Sequence, residues 1–114
     1  MLIKKIDVGK VSIENPKGGK GFLHRLDYIK DAIPCSKLAS FSYVELEPGA
    51  TIGDHQHLDN FEVYYFIEGE GKALDNDEDV LIKAGDMLIT ERGGNHALTN
   101  TGHVTLKFVA FICS

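Results

Sequence analysis

The sequence predicts an all-β protein built as a single sandwich or barrel. Short runs rich in aromatic and β-branched residues recur about every ten residues, the spacing typical of such folds. Glycine-rich turns separate these runs, and no long stretch shows the period of an amphipathic helix. Together these three observations favour many short strands over helices.

The predicted strands begin near the middle of the chain and continue to its end. The first is SFSYVEL, which stops at the turn Glu47-Pro48-Gly49, and the run FEVYYFI stops at Glu68-Gly69. In chain order the predicted strands cover residues 40–46, 61–67, 72–74, 80–83, 87–90 and 104–113, with a hairpin tip at 75–78. Before them, Leu26, Ile29 and Ile33 have the spacing of one side of a short helical turn that ends at Pro34.

Length and composition suit one globular domain, residues 1–114, with an N-terminal extension of about 1–37 and a barrel core of about 38–114. The net charge of −5, from 17 acidic and 12 basic residues, argues against nucleic acid or an anionic membrane as a partner.

No apolar signal segment and no run long enough to span a membrane is visible, so we expect a cytoplasmic protein. Cys35 and Cys113 form no CxxC pair and are expected to be reduced thiols, although their spacing also permits a disulfide.

Four residues are the candidate ligands of a metal ion. Residues two apart in a strand point to the same face, so His55 and His57 can both face a barrel interior. A turn after them can return the carboxylate of Glu62 to the same point, and Gly93-Gly94 permits a tight turn that brings in His96. Imidazole and carboxylate together suit divalent transition metals. His24 and His103 are expected to be surface or loop histidines.

Two other stretches resemble binding motifs only superficially. The segment 16–21 is glycine-rich and basic but lacks the spacing of a phosphate-binding loop, so a flexible surface loop is expected. The acidic segment 75–79 lacks the glycine and the terminal glutamate of a calcium loop, so a solvated hairpin is expected.

The candidate ligands lie in two motifs that resemble those of the cupin superfamily. The first has Gly49, His55, His57, Glu62 and Gly69, with five, one, four and six residues between them. The second has Gly85, Glu91, Gly93, His96 and Asn100, with five, one, two and three residues between them. Fifteen residues separate the two motifs, as in small single-domain members.

This resemblance implies a double-stranded β-helix, or jelly-roll, cupin barrel. It also implies that His55, His57, Glu62 and His96 bind one divalent metal ion, which is Fe, Mn, Ni, Zn or Cu, with a small-molecule ligand or substrate beside it. It further implies a homodimer. Glu91 departs from the family, which usually has proline there, and it is either a solvent-facing turn residue or a contact for substrate.

Several neighbouring residues have open roles. Tyr64 and Phe66 share the face of Glu62 and either line the pocket or fill the core. Partners that orient the imidazoles are sought among Asp54, Asp59, Asn60 and Asn100. No catalytic residue can be assigned, and the candidate acids and bases are Tyr43, Tyr64, Glu91 and Arg92.

Two functions are compatible with these features. The first is a metal-dependent enzyme, of the dioxygenase or isomerase type, that acts on a small oxygen-bearing molecule. The second is a module that binds or senses a small ligand and holds a metal without turnover, because fold alone does not decide function.

Overall fold

The computed structural model describes residues 1–30 and 37–114, and strands dominate it. The ten strands of the described residues are β1 Lys10–Glu14, β2 Phe22–Ile29, β3 Leu38–Leu46, β4 Thr51–Gln56, β5 Phe61–Glu68, β6 Glu70–Asp75, β7 Glu78–Lys83, β8 Met87–Thr90, β9 Asn95–Asn100 and β10 Leu106–Cys113. Short 3-10 turns lie at Lys5–Asp7 and Pro16–Gly18.

The strands form two sheets that enclose one core. The larger sheet has the order β1-β2-β3-β10-β5-β8, and the smaller has the order β4-β9-β6-β7. All strand pairs within them are antiparallel. Some consecutive strands, such as β4 and β5, lie in different sheets, whereas others, such as β6 and β7, pair within one sheet. The predicted jelly-roll barrel is confirmed.

Side-chain alternation decides which residues form the core. In β9, and in β10 as far as Ala110, every second residue is buried, as expected for strands with one face toward the interior. Phe66 and Phe108 are the largest fully buried side chains, and their rings pack 5.5 Å apart. Burial of each such side chain contributes about 1.5–3 kcal/mol relative to exposure.

The N-terminal region differs from its predicted local structure. Leu26 and Ile29, predicted in a helical turn, lie in β2, because β2 pairs along its length with β1 and β3. Ile33 and Pro34, the rest of that prediction, lie outside the described residues. The glycine-rich segment 16–21, expected to be flexible, lies against β4, where Lys20 and Thr51 exchange backbone hydrogen bonds of 3.2 and 2.8 Å.

Two further expectations concern the thiols and the membrane. Cys113 forms no disulfide within the part of the chain that the structure describes, and Cys35, its suggested disulfide partner, lies outside that part. Among residues 1–30 and 37–114, no helix has the length and apolar character needed to cross a membrane.

Candidate metal centre

The four predicted ligands meet at one point inside the barrel. His55 lies in β4 and His57 directly after it, Glu62 is in β5, and His96 is in β9. In the pairing of β4 with β9, His55 and His96 are directly opposite each other. One ligand atom from each of the four residues lies within 4.8 Å of the others. Three of the four are nearly inaccessible, with exposed fractions of 9% for His57, 9% for Glu62 and 1% for His96.

The ligand atoms are closely spaced. Nε2 of His96 lies 2.9 Å from Nε2 of His55 and 3.1 Å from Nε2 of His57. Oε1 of Glu62 lies 3.1 Å from Nε2 of His57 and 3.2 Å from Nε2 of His96. Two ligands at right angles, each about 2.1 Å from a shared ion, are about 3.0 Å apart.

The other ring nitrogens decide what these close contacts mean. Nδ1 of His55 donates to the Gly53 carbonyl oxygen at 2.7 Å, and Nδ1 of His57 donates to Oδ1 of Asn60 at 2.8 Å. Because these oxygens can only accept, Nε2 of each neutral ring carries a lone pair instead of a proton. These lone pairs and the Glu62 carboxylate converge, and a shared cation relieves the repulsion between them. The donor set therefore fits a divalent metal.

His96 is oriented by two partners from the larger sheet. Its Nδ1 is 2.8 Å from Oγ1 of Thr90, a residue with no exposed surface. The ring of Tyr64 stacks on the His96 ring, with centroids 4.9 Å apart and planes at 25°. These contacts hold the imidazole in one orientation.

Burial shifts two pKa values at the centre. Desolvation lowers the pKa of His55, and this effect is partly offset by the hydrogen bond to Gly53. Desolvation and the neighbouring Glu62 carboxylate raise the pKa of Tyr64 well above its usual value. Tyr64 is therefore a neutral hydroxyl donor at physiological pH.

A cavity of about 660 Å³ opens beside the candidate centre, and His55, His57 and Glu62 line it. Its wall is mostly apolar, with Val44, Ile52 and Phe108 among the lining residues. Arg25, Asp27 and Ser42 are among the polar residues that also line it, and the sequence analysis did not identify them as part of the site. The alternation of residues along β2 and β3 could have identified them as cavity residues, but only if the region before residue 37 had been predicted to form a strand.

The candidate acids and bases separate by position. Tyr64 lines the cavity, whereas its described lining residues do not include Tyr43, Glu91 or Arg92. Glu91 is exposed in a turn, as the solvent-facing interpretation expects. Phe66 is fully buried in the core.

Of the four residues considered as partners of the imidazoles, only Asn60 bonds a ring among the described contacts. Asn100 donates to the carbonyl oxygens of Leu46 and Val104, and therefore holds in place the segment that leads into β10. Asp54 accepts a bond of 2.9 Å from Asn95. Thr90 and the Gly53 carbonyl were missed, since neither stands out by residue type.

The two remaining histidines lie outside the centre. His103 is exposed in a bend, as expected. His24 lies in β2 instead of an irregular loop, and its Nε2 is 2.6 Å from Oε2 of Glu47.

Comparisons with known proteins agree with this architecture. The family model described as "Cupin domain" matches residues 42–112. An oxalate-binding protein from Thermotoga maritima is 37% identical over 98% of this chain and 93% of its own length. A crystal structure of a predicted oxalate decarboxylase from Thermotoga maritima superposes with a TM-score of 0.91 at 38% identity, over 99% of this chain and 98% of that chain.

A more distant structure shares the fold alone. A polyketide cyclase from Streptomyces resistomycificus has a TM-score of 0.77 at 18% identity, over 99% of this chain and 78% of that chain. Because the family model covers more than half of the sequence and a relative matches nearly all of it, the chain belongs to the cupin family.

Proposed function

We propose that His55, His57, Glu62 and His96 hold one divalent transition metal ion, and that the protein binds a small carboxylate there. The observation that carries this proposal is the convergence of imidazole nitrogens and a carboxylate oxygen at 2.9–3.2 Å. Without a cation, these electron-rich atoms would repel one another inside a poorly solvated barrel.

The residues around the ligands prepare the centre for metal. The histidine rings are fixed by hydrogen bonds to Gly53, Asn60 and Thr90. The rings therefore need little further ordering when a metal ion binds. Glu62 offsets part of the charge of a divalent ion. A donor set of three imidazoles and one carboxylate favours Fe, Mn or Ni over Zn, which prefers fewer ligands. When bound, such an ion supplies a Lewis-acid site for oxygen atoms of a ligand.

The charge of the cavity favours an anionic ligand. Arg25, Lys17 and Lys30 line it, and the carboxylates that also line it are those of Asp27 and Glu62. A divalent ion would make the whole cavity positive. The name of the Thermotoga maritima relative, an oxalate-binding protein, supports a small carboxylate as the ligand class.

Binding without turnover is the better-supported alternative of the two functions. Of the candidate acids and bases, only Tyr64 lines the cavity. An enzyme of the dioxygenase or isomerase type stays the second candidate, because the Tyr64 hydroxyl lies 3.5 Å from Nε2 of His96, where it can reach a bound molecule. Incubating metal-loaded protein with oxalate and following the total oxalate concentration tests turnover of this ligand: binding alone leaves the total unchanged, whereas a steady fall would favour the enzyme.

Metal content of purified protein, measured by plasma mass spectrometry, tests the centre directly. We expect about one equivalent of metal in the wild type and none in the His55→Ala, His57→Ala double variant. His103→Ala is the matched control, since it removes an exposed histidine and should keep the metal. Wild-type protein that contains no metal and takes up none from added Fe, Mn, Ni or Zn would contradict the proposal.

We also propose a homodimer, because apolar side chains remain exposed on the outer face of the larger sheet. The cytoplasmic location stays a prediction from the sequence.

A further inference from the structure

The cavity has a second polar region, far from the metal centre. Asp27 in β2 and Ser42 in β3 are partners in the strand pairing, and both line the cavity. Oγ of Ser42 donates to Oδ1 of Asp27 at 2.7 Å, and Nε of Arg25 donates to the same oxygen at 2.6 Å. The Asp27 side chain is 11% exposed, so this carboxylate is held rigidly below the surface.

The position of this region follows from the order of the larger sheet. Asp27, Ser42, Ala110 and Tyr64 form one continuous row across β2, β3, β10 and β5. Neighbouring strands are roughly 4.8 Å apart, so the row spans about 14 Å along the sheet. Tyr64 stacks on His96 at one end, and Asp27 holds Arg25 at the other. Long side chains from both ends shorten the gap that remains between them.

Arg25 keeps donors available for a ligand. Asp27 engages Nε, and within residues 1–30 and 37–114 no hydrogen bond involves either terminal guanidinium nitrogen. Fixing Nε orients the planar group, and its free edge presents paired donors that match a carboxylate. The side chain is 36% exposed, so a ligand can reach it.

The wall between the two polar regions is apolar. Val44, Phe108 and Ala110 lie on β3 and β10, the strands between β2 and β5, and all three line the cavity. The volume of about 660 Å³ is that of pockets for ligands far larger than oxalate. Oxalate, whose two carboxylates are directly joined, would fill only the metal end.

We infer that Arg25, positioned by Asp27 and Ser42, binds the far carboxylate of a ligand whose near carboxylate lies at the metal centre. The preferred ligand is then a dicarboxylate with a carbon chain between its ends, longer than oxalate. This inference rests on the proposed function for the near carboxylate. It assigns to Arg25 the choice of ligand length.

The test is a titration calorimetry series on metal-loaded wild-type protein with oxalate, succinate, glutarate and adipate. We expect at least one longer diacid to bind about tenfold or more tightly than oxalate, because only it reaches Arg25. Pentanoate and hexanoate replace the far carboxylate of glutarate and adipate with a methyl group. Each monocarboxylate should therefore lack the tighter binding of the diacid that it matches.

Arg25→Gln supplies the second arm. This substitution should lower the affinity for the best diacid by about ten- to a hundredfold and the affinity for oxalate by less than about threefold. It should leave the affinities for pentanoate and hexanoate unchanged. Lys72→Gln, which removes an exposed positive charge on β6 away from the cavity, is the matched control and should change none of these affinities. The wild-type series needs no variant, so a misfolded Arg25→Gln protein does not weaken the test.

The possible failures are distinguishable. If oxalate binds in a metal-dependent way but no longer diacid binds more tightly, the inference about Arg25 is wrong and the proposed function stands. An equal loss of affinity for oxalate and for the diacid in Arg25→Gln also overturns the inference, because Arg25 would then act by charge alone. If no carboxylate binds metal-loaded protein, both are wrong.

Discussion

The imidazoles of the metal centre are oriented by partners of three different kinds, namely a backbone carbonyl, a side-chain amide and a hydroxyl. The hydroxyl of Thr90 is the most buried of these and reaches His96 from the other sheet. A residue that touches no metal can therefore control the affinity of the centre.

Thr90→Val should test this role, since valine keeps the shape and removes the hydrogen bond. We expect metal affinity to fall by about tenfold or more, because His96 loses the partner that fixes its ring. Competition with a fluorescent chelator measures the change.

Thr99→Val is the control for the same substitution in β9, at a position that faces away from the core. It should leave metal affinity unchanged. An affinity in Thr90→Val within about twofold of the wild type would show that Tyr64 stacking alone orients His96.

At the scale of elements, β4 depends on the segment that precedes β2. A Cβ atom at Gly53 would overlap the Lys17 carbonyl oxygen and lie 3.1 Å from the Gly19 nitrogen. A Cβ atom at Gly19 would likewise overlap the Thr51 carbonyl oxygen, so the close approach of two backbones requires glycine there, a feature that the sequence analysis attributed to flexibility. The same approach fixes Gly53, whose carbonyl holds His55.

Gly53→Ala should lower the free energy of unfolding by about 1–3 kcal/mol, since the backbones must move apart. Urea denaturation of the metal-free protein measures it. Gly9→Ala is the matched control, because a Cβ atom there meets nothing within 4 Å. A Gly53→Ala midpoint equal to that of the wild type would show that the segment moves aside without cost.

At the scale of the whole molecule, metal should stabilise the barrel because its ligands come from both sheets. An ion at about a hundredfold above its dissociation constant adds about 2.7 kcal/mol. Removing it with EDTA should therefore lower Tm by roughly 10 °C.

Differential scanning fluorimetry, with metal or with EDTA, measures this shift. The His55→Ala, His57→Ala double variant should melt at one temperature under both conditions. A wild-type Tm that does not respond to EDTA would indicate that ion binding and folding are not linked here.

We predict that the edge of the larger sheet forms the interface of the proposed homodimer. On the outer face of β5 and β8, Tyr65, Ile67, Met87 and Ile89 are 43–55% exposed, and Tyr65 lies directly opposite Met87. β8 is an edge strand, and an apolar edge favours self-association. We expect light scattering after size exclusion to give twice 12.6 kDa.

Met87→Lys combined with Ile89→Lys should convert this dimer to monomer, because two charges would be buried on each side. Leu81→Lys, on β7 of the other sheet, should leave the dimer intact. A wild-type protein that elutes as a monomer at micromolar concentration would refute the interface.

Much of the barrel could be predicted from local pattern. Runs such as 61–67 and 87–90 carry their own alternation and turn signals, and the structure places β5 and β8 there. The convergence of the candidate ligands could also be predicted, because the spacing of His55, His57 and Glu62 is short and the residue types are chemically distinctive. β1 and β2 were not predicted. β1 is a short edge strand with no buried residue, and β2, between β1 and β3, is only partly buried along most of its length, so neither has a clearly apolar face.

The contacts that the sequence did not predict were decided by pairing between strands that are distant in the chain. Asp27 meets Ser42, and Thr90 meets His96, only because the two-sheet topology brings their strands or sheets together. Such neighbours leave no mark in local composition, since an aspartate or threonine is ordinary in any exposed strand. Residue types and short spacing thus determine the candidate metal site, whereas the cavity wall depends on strand order, which long-range packing selects.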